Sequence, residues 1–476
     1  MPHPLLLEIN TRCWLRALSD NLARPVTLAT APEEQIASWK KLGFTHIWLM
    51  GVWATGPKTR ALARAQANLQ SLSVAAFGKS GQEMLVSSPF AVADFTVAES
   101  LGGEAGLRRF RARLHRHGLG LILDFIPNHL GLDHPWLAKR DRLFVRSSTQ
   151  RPETFPVIYA GKTSWVAHGK DPYFPAWSDT AQLDYRLAST RAAMTRALQS
   201  VAARCDGVRC DTAMLLLNDV FDKTWAHFPT ARPAPSEEFW AGAIYPVKRR
   251  QPDFVFIAEA YWDLEPRLHG LGFDYVYDKK FLDHLTQRDY PALQKHIRAV
   301  AGKFHPVRFL ENHDEARIAS LLTVPEQKAA AVLLLAQPGL RLLHDGQTAD
   351  RKRHTPVQFA SYWPETGHPE MTAFYDHLLS ILPQTALGRG EMEFRETGLS
   401  HCFAMKWKRE CGRHTLALVN LAPQRASFQI RELTPGWKIA DVFSDKASKW
   451  SRQGEKLHIE LAACGFEVLE LRPATP

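Results

Sequence analysis

Four short apolar runs in this chain each end in carboxylate, amide or imidazole side chains, and this repeated pattern restricts the possible folds most strongly. The four segments are residues 121–129, 206–213, 255–260 and 307–314. Short apolar runs bounded by polar residues are typical of buried strands. Four unrelated core strands would not each place such side chains at the same end. A parallel barrel accounts for all four, because the carboxyl ends of its strands open on one face.

The segment at residues 206–213 places an arginine and a carboxylate on one side of a strand. Arg209 and Asp211 are two positions apart, and side chains at that spacing point to the same face. The guanidinium would keep the carboxylate ionised, which is the state that a nucleophile or a metal ligand requires. Such a pair on its own is more often a structural ion pair, so a functional interpretation depends on the other three segments.

Helical and strand patterns alternate over most of the chain, as in parallel βα units. Residues 33–41 have helical spacing and are followed by Gly43, and residues 44–50 then have the pattern of a strand. Beyond about residue 388 this alternation gives way to short strands of alternating polarity. These strands are expected at residues 401–407, 415–421, 427–430 and 466–471. The later pattern is typical of an antiparallel sandwich.

In their order and spacing, the four segments resemble the four sequence signatures of the α-amylase family, glycoside hydrolase family 13. The resemblance covers nearly the whole chain and implies an α/β fold, a (β/α)8 TIM barrel with a short insert after strand 3 and a C-terminal antiparallel β-sandwich domain. It assigns residues 1–130 and 188–386 to the catalytic barrel, 131–187 to the insert and 387–476 to the sandwich. Residues 51–87 are expected to be a long connection, and the insert to be irregular and rich in aromatic residues.

Composition narrows the possible locations and partners. The longest apolar run, from Ala329 to Ala336, is too short to cross a bilayer. The N-terminus has no basic segment followed by a long apolar one, and the six cysteines form no C-x-x-C pair. We therefore expect a cytoplasmic protein with no membrane partner. The net charge of +10 comes from scattered basic residues with no nucleic-acid-binding motif, so no nucleic-acid partner is expected, and the oligomeric state is left open.

The resemblance assigns the catalytic roles to three carboxyl groups. Asp211 matches the nucleophile and Glu259 matches the acid/base. Asp314 matches the third carboxylate, which binds sugar hydroxyls. Glu259 has apolar neighbours in the sequence, and desolvation there should favour its protonated form. Two carboxyl groups whose surroundings push them toward opposite charge states make a credible pair for retaining glycoside hydrolysis.

The resemblance also assigns a set of substrate-binding residues. Phe90 matches the aromatic floor of the sugar subsite, where the family usually has tyrosine, so the stacking face is kept and a hydroxyl is lost. Asp124 is expected to order the site through Arg209. The full predicted substrate-binding set is Phe90, Asp124, His129, Arg209, Trp262 and His313.

Two residues correspond to calcium ligands of the family. Asn128 matches one ligand position, and Asp184 lies in a segment that loosely resembles the part of the insert that supplies another. Calcium takes six to eight oxygen ligands, and many family members lack the ion. The sequence therefore predicts no required cofactor and leaves a structural Ca2+ open.

The implied function is retaining hydrolysis of α-glucosidic bonds in an oligosaccharide or polysaccharide α-glucan. Family members that cut starch internally commonly carry Lys-His after the nucleophile, where this chain has Met214 and Leu215. This difference leaves room for an α-glucan transglycosylase or an exo-acting glucosidase with the same catalytic residues. A catalytically inactive glucan-binding protein is a further alternative, but such a protein would be expected to have lost part of the carboxylate set.

Overall fold

Eight parallel strands close into a barrel in the computed structural model, which describes residues 3–159, 161–229, 235–409, 412–431 and 437–473. We number these strands β1 to β8 in chain order. They are Leu5–Asn10, His46–Met50, Gly120–Phe125, Gly207–Cys210, Val255–Ala258, Tyr275–Tyr277, Pro306–Arg308 and Leu340–His344. All eight strands are almost entirely buried because side chains fill the barrel and helices cover it. The predicted TIM barrel is therefore confirmed.

The strand register brings the predicted strand-end residues to one face of the barrel. Arg209 on β4 lies opposite Asp124 on β3 and opposite Ile257 on β5. Each strand is paired in parallel with its two neighbours, and β1 closes the barrel on β8. Residues that follow the strands, such as Asp211 and Glu259, therefore emerge together at the C-terminal mouth.

Helices surround the barrel strands and bury their apolar faces against them. The helix Val324–Leu335 begins with a capping box. The Thr323 side chain accepts a hydrogen bond from the Glu326 backbone N–H, and the Glu326 side chain accepts one from the Thr323 backbone N–H. No helix within the described ranges is long and apolar enough to span a membrane. The main helices are Thr11–Leu22, Glu33–Lys41, Gly103–Arg116, Ala188–Ala202, Asn218–Trp225, Phe239–Arg250, Glu265–Gly270, Lys279–Thr286, Tyr290–Val300, Ile318–Leu321, Val324–Leu335 and Pro369–Ile381.

The segment between β2 and β3 is a long connection, as expected, and much of it has regular secondary structure. It contains the helices Pro57–Ala65, Ala67–Phe77 and Gly81–Met84, and a short strand Trp53–Thr55 that pairs with Val92–Val97. Alanine, leucine and glutamine are strong helix formers, and Pro57 occupies the first helical turn, where it needs no N–H partner. The long connection is therefore largely helical.

The insert after β3 is also more regular than expected. Strands Arg146–Ser147, Thr154–Tyr159 and Lys162–Ala167 form an antiparallel sheet, and His129–Gly131 pairs with Thr180–Gln182. The proposed boundary between residues 130 and 131 falls within one of these strands, so the division into domains stays a prediction. This second pairing joins the beginning of the insert, just after β3, to its end at Thr180–Gln182.

The C-terminal region consists of a five-stranded and a three-stranded antiparallel sheet. An apolar cluster between them includes Leu416, Leu418, Ile459 and Leu469, as expected for a sandwich. The larger sheet contains Glu391–Arg395, Cys402–Lys408, His414–Asn420, Phe466–Pro473 and Trp437–Ser444, and the smaller contains Ala426–Arg431, Lys456–Leu461 and Lys449–Gln453.

Candidate active site

Arg209 lies at the centre of the barrel mouth and contacts two carboxyl groups. Its guanidinium is fully buried, and Nη1 donates to Asp211 Oδ1 at 2.6 Å. Nη2 lies 2.8 Å from Glu259 Oε2, in an ion-pair contact that lacks the angle of a hydrogen bond. The side chains of Asp211 and Glu259 are therefore held against one cation, although they come from different strands.

Glu259 has contacts on both carboxyl oxygens besides the one with Arg209. The backbone N–H of Thr212 donates to Oε2 at 2.6 Å, and the Tyr261 hydroxyl donates to Oε1 at 2.9 Å. Thr212 has a left-handed backbone conformation, with φ of 42°, at the point where the chain leaves β4. Burial raises the pKa of Glu259 to about 7, although Arg209 opposes the shift. Glu259 can therefore carry a proton at neutral pH.

Asp211 is oriented by two donors of its own segment. Arg209 holds one carboxylate oxygen, and the Thr212 hydroxyl lies 3.3 Å from the other. These donors hold the carboxylate in place beside Glu259 at the strand ends. The two carboxyl groups therefore differ in their hydrogen-bonding environments.

Asp314 and His313 follow β7 and form a charged pair beside this cluster. His313 Nε2 lies 3.0 Å from Asp314 Oδ2, and the Asp314 side chain is 48% exposed to the barrel mouth. Desolvation in the cleft opposes ionisation of Asp314, but the charge of His313 outweighs it and lowers the pKa of this carboxyl. Asp314 is therefore an ionised group open to a ligand.

Asp124 lies opposite Arg209 in the strand register, and donors from β2 and the residue after it hold its carboxylate. Its carboxylate accepts hydrogen bonds from the Trp48 indole N–H at 3.0 Å and from the Gly51 backbone N–H at 2.9 Å. Burial raises the pKa of Asp124 to about 6, and Arg209 opposes this shift through its charge. Asp124 thus orders Trp48, whose ring lies 5.4 Å from the Arg209 guanidinium carbon.

Phe90 and His129 line the same space. The Phe90 ring stacks on the His313 ring at 5.1 Å with an interplanar angle of 23°, and the Arg209 guanidinium carbon lies 5.6 Å from its centroid. His129 is buried and packs 5.0 Å from Trp177 of the insert. The insert thus supplies an aromatic side chain to the edge of the site.

Trp262 lies at the rim of the mouth rather than in the Arg209 cluster. Its ring meets Tyr173 of the insert edge-on at 4.9 Å, and the two side chains are 36% and 64% exposed. Trp262 has a positive φ of 67°, which is uncommon for a bulky residue. Five of the six predicted substrate-binding residues therefore form an inner group that includes Arg209, and the sixth, Trp262, lies at the rim beside Tyr173.

Comparison with known proteins matches this arrangement to one enzyme family. A sequence model described as "Alpha amylase, catalytic domain" matches residues 33–355, which is more than half of the chain. The chain belongs to the α-amylase family. The matched region contains all three predicted catalytic carboxyl groups and the whole inner group of substrate-binding residues.

Solved structures of α-amylases and related enzymes share the fold across the whole chain. The maltogenic α-amylase AmyB of Thermotoga neapolitana has a TM-score of 0.71 at 18% identity, with 98% of each chain covered. Eubacterium rectale Amy13B has a TM-score of 0.71 at 14% identity, covering 98% of this chain and 95% of that one. The trehalose-6-phosphate hydrolase of Bacillus licheniformis has a TM-score of 0.70 at 12% identity, with 99% of each chain covered. No curated protein matches the sequence at a significant level.

The two predicted calcium ligands of this α-amylase-family chain do not fit a calcium site. Both carboxylate oxygens of Asp184 accept hydrogen bonds at 2.8 Å from the Arg186 guanidinium. The side-chain amides of Asn128 and Gln182 hydrogen-bond to each other. A calcium ion would need these oxygens and would lie against the positive charge of Arg186. Within the described ranges, no group of three or more His, Cys, Asp or Glu side chains is arranged to hold a metal ion.

Sequence reasoning missed two residues that contact the candidate site, Glu8 and Trp48. Glu8 lies on β1 and accepts a hydrogen bond from His313 Nδ1, whereas Nε2 of the same ring faces Asp314. It follows three leucines, so it has the same pattern of an acid after an apolar run that identified the other strand ends. Trp48 lies inside the apolar strand β2, where an indole N–H directed at a buried carboxylate has no local sequence signal.

Proposed function

We propose that this α-amylase-family enzyme cleaves α-glucosidic bonds of α-glucans or malto-oligosaccharides with retention of configuration. Asp211 would be the nucleophile and Glu259 the acid/base. The observation that carries the proposal is that Arg209 contacts both carboxyl groups while burial raises the pKa of Glu259 to about 7. Retaining hydrolysis needs one ionised and one protonated carboxyl group flanking the same bond.

In the first step, Asp211 attacks the anomeric carbon from the face opposite the glycosidic oxygen. Glu259 gives its proton to that oxygen, the bond between carbon and oxygen breaks, and its electrons leave with the departing sugar. A covalent glycosyl ester on Asp211 results. Arg209 supports this step because it contacts the nucleophile directly and remains charged throughout.

In the second step, Glu259 is a carboxylate and acts as the base. It removes a proton from an incoming hydroxyl, whose oxygen attacks the anomeric carbon and releases the Asp211 carboxylate. The two inversions together restore the original configuration. The Thr212 N–H and Tyr261 hydroxyl that contact Glu259 favour its charged form at this stage, since both are hydrogen-bond donors.

The remaining residues of the inner group would bind the sugar ring that reacts. Asp314 offers an ionised, half-exposed carboxylate to its hydroxyls. Phe90 supplies a flat apolar surface, held by its contacts with His313 and Arg209. Trp262 and Tyr173 would contact sugar units further along the chain, because aromatic faces exposed at a cleft rim suit stacking on sugar rings.

The stereochemical outcome tests the proposal directly. We expect proton NMR during the first minutes of maltoheptaose cleavage to show the α-anomer at the newly formed reducing end, before mutarotation mixes the anomers. Immediate appearance of the β-anomer would mean that water attacks the glucan itself, and the assignment of Asp211 as nucleophile would be wrong.

Transfer to a second sugar is the alternative function that one structural observation favours. Met214 and Leu215, which follow the proposed nucleophile, are almost completely buried and apolar, so they provide no side chain that would order a water molecule. Product lengths from maltoheptaose separate the alternatives. Hydrolysis gives only shorter chains, whereas transfer gives chains longer than the substrate.

Removing the Phe90 ring should reduce turnover as well as binding. We expect Phe90→Ala to lower kcat/KM for maltoheptaose by about 10- to 100-fold, because a misplaced sugar loses its alignment with the reacting groups. Phe90→Tyr should keep most of the activity, since the stacking face is preserved. Kinetics and melting temperature should be measured on both variants. A folded Phe90→Ala protein that melts lower but turns over normally would make Phe90 a packing residue only.

A further inference from the structure

Glu8 is a fully buried carboxylate that the proposed reaction does not use. It is 0% exposed and lies on β1, 305 residues before its partner His313. One oxygen, Oε1, accepts from His313 Nδ1 at 2.6 Å and from the His313 backbone N–H at 3.3 Å. The other oxygen, Oε2, has no hydrogen-bond partner in the described part of the chain. A charge buried in this way needs close compensation, and His313 is the nearest candidate.

We propose that Glu8 is a positioning residue that holds His313 as an imidazolium, with Nδ1–H fixed on Glu8 and the charged Nε2–H beside Asp314, the carboxylate that binds a sugar hydroxyl. The proposal rests on the proposed function for its catalytic consequence. The geometry of the three side chains carries it.

Only the doubly protonated ring suits both neighbours of His313. A proton on Nδ1 is required by the short contact with Glu8, because a carboxylate oxygen can only accept. If Nε2 then carried a lone pair, that lone pair would lie 3.0 Å from the Asp314 carboxylate oxygen, and the two would repel. With a proton on Nε2 the same contact is an ion pair.

The Asp314 carboxylate is the part of this pair that is open to a ligand, because its side chain is 48% exposed. His313 Nε2 is buried, and its contact with Asp314 lacks the angle of a hydrogen bond. A sugar hydroxyl would donate its proton to the Asp314 carboxylate, and the His313 imidazolium keeps that carboxylate ionised.

Other groups around His313 are consistent with a charged ring. The Phe90 face stacks on it at 5.1 Å, a contact that favours a cation. Burial opposes the charge, but Asp314 and Glu8 outweigh it and raise the pKa of His313. The charged and titratable groups that face this part of the site from the surrounding elements are Glu8 on β1, Asp124 on β3, Arg209 on β4, Asp314 after β7, His344 on β8 and His354 in the following loop.

Glu8 also balances the charge of the imidazolium it fixes. The transition state for glycoside cleavage develops positive charge on the sugar ring, and an uncompensated cation beside that ring would oppose it. A carboxylate 2.6 Å from the imidazolium, on its Nδ1 side, reduces the positive field at the sugar. The site therefore keeps a charged partner for Asp314 without an additional net positive charge.

Nitrogen-15 NMR of histidine-labelled protein tests the proposal without any need for activity. The His313 signal would be assigned by its loss in His313→Asn. We expect the unsubstituted protein to show an imidazolium spectrum for His313 at pH 7, and Glu8→Gln to lose that proton at clearly lower pH. A neutral His313 ring at pH 7 in the unsubstituted protein would overturn the proposal, even if Glu8→Gln failed to fold.

Kinetics of Glu8→Gln provide the second test. The glutamine keeps the size and an acceptor oxygen but removes the charge, so His313 should lose its proton at lower pH. We expect kcat/KM to fall by about 10-fold above neutral pH and by much less at acid pH, because acid restores the proton on His313. An equal loss at every pH would make Glu8 a purely structural residue.

Asp278→Asn is the matched control. Asp278 is another buried carboxylate at a strand end, paired with Arg308 and His296 instead of His313. This variant should melt at a lower temperature while its His313 titration and the shape of its pH profile stay unchanged. Because the NMR readout is independent of turnover, failure of the proposal is distinguishable from failure of the proposed function, which the anomer experiment decides.

Discussion

Replacing Asp211 should nearly abolish turnover of natural substrates. We expect Asp211→Gly to lower kcat by about 10⁴-fold or more, as removal of a nucleophile typically does, because no covalent glycosyl intermediate can form. The variant also leaves the buried Arg209 with one partner fewer, so melting temperature must be measured beside the rate. Breaking a buried ion pair typically costs about 3–5 kcal/mol of stability.

Rescue of the Asp211→Gly variant by azide tests the nucleophile assignment more specifically than a loss of rate does. With an activated α-maltosyl fluoride, azide can occupy the space of the missing carboxylate and attack the anomeric carbon in a single inversion. The expected product is the β-glycosyl azide. Asp184→Asn serves as the control, since this buried aspartate pairs with Arg186 and its loss should affect stability without any azide product. An α-configured azide from the Asp211 variant would assign the nucleophile elsewhere.

Replacing Glu259 should slow natural substrates more than activated ones. We expect Glu259→Gln to lower kcat/KM for maltoheptaose by about 10²- to 10⁴-fold, the usual contribution of general acid catalysis. An α-maltosyl fluoride needs less protonation of its leaving group and should lose less rate in the glycosylation step. Equal losses for both substrates, with glycosylation confirmed as rate-limiting, would contradict the acid role.

The pH dependence of kcat/KM is a second test of the role of Glu259 as the general acid. Burial raises its pKa to about 7, so the acid form is present below that pH and is lost above it. The kcat/KM of the unsubstituted enzyme should therefore decline as the pH rises through about 7. Glu259→Gln has no proton to lose at this position, and its residual activity should lack that alkaline decline. An identical decline in the variant would assign the titration to another group.

Much of the fold could be predicted because it depends on local, periodic patterns. Apolar runs ending in polar residues identified β3, β4, β5 and β7, and parallel closure then placed their ends at one mouth. The helix at residues 33–41 was predicted with its observed bounds, since its spacing and the Gly43 that follows are both local signals. Residues 51–87 were predicted less well, because alanine- and serine-rich stretches suit both helices and loops.

The positions of the candidate site residues could be predicted, but several of their partners could not. Asp184 lies in a segment that loosely resembles a calcium-ligand segment of the family, yet both its oxygens pair with Arg186, two residues further along. Asp124 was expected to order the site through Arg209, but no sequence pattern indicated its hydrogen bonds from Trp48 and Gly51. Sequence spacing specifies which residues share a strand end, but side-chain direction and local backbone geometry decide which donor meets which acceptor.

The sequence by itself determined the parallel barrel, the C-terminal sandwich and the carboxyl groups at the barrel mouth, because strand periodicity and strand order are properties of the chain alone. Only the tertiary structure decided which distant groups meet and how far water is excluded, and both set the charge states that the site can adopt. Glu8 meets His313 across 305 residues because β1 and β8 close the barrel. The pKa of Glu259 rises because many distant residues together exclude water from it. Closure and desolvation are collective properties of the packed molecule, and no local segment of the sequence encodes them.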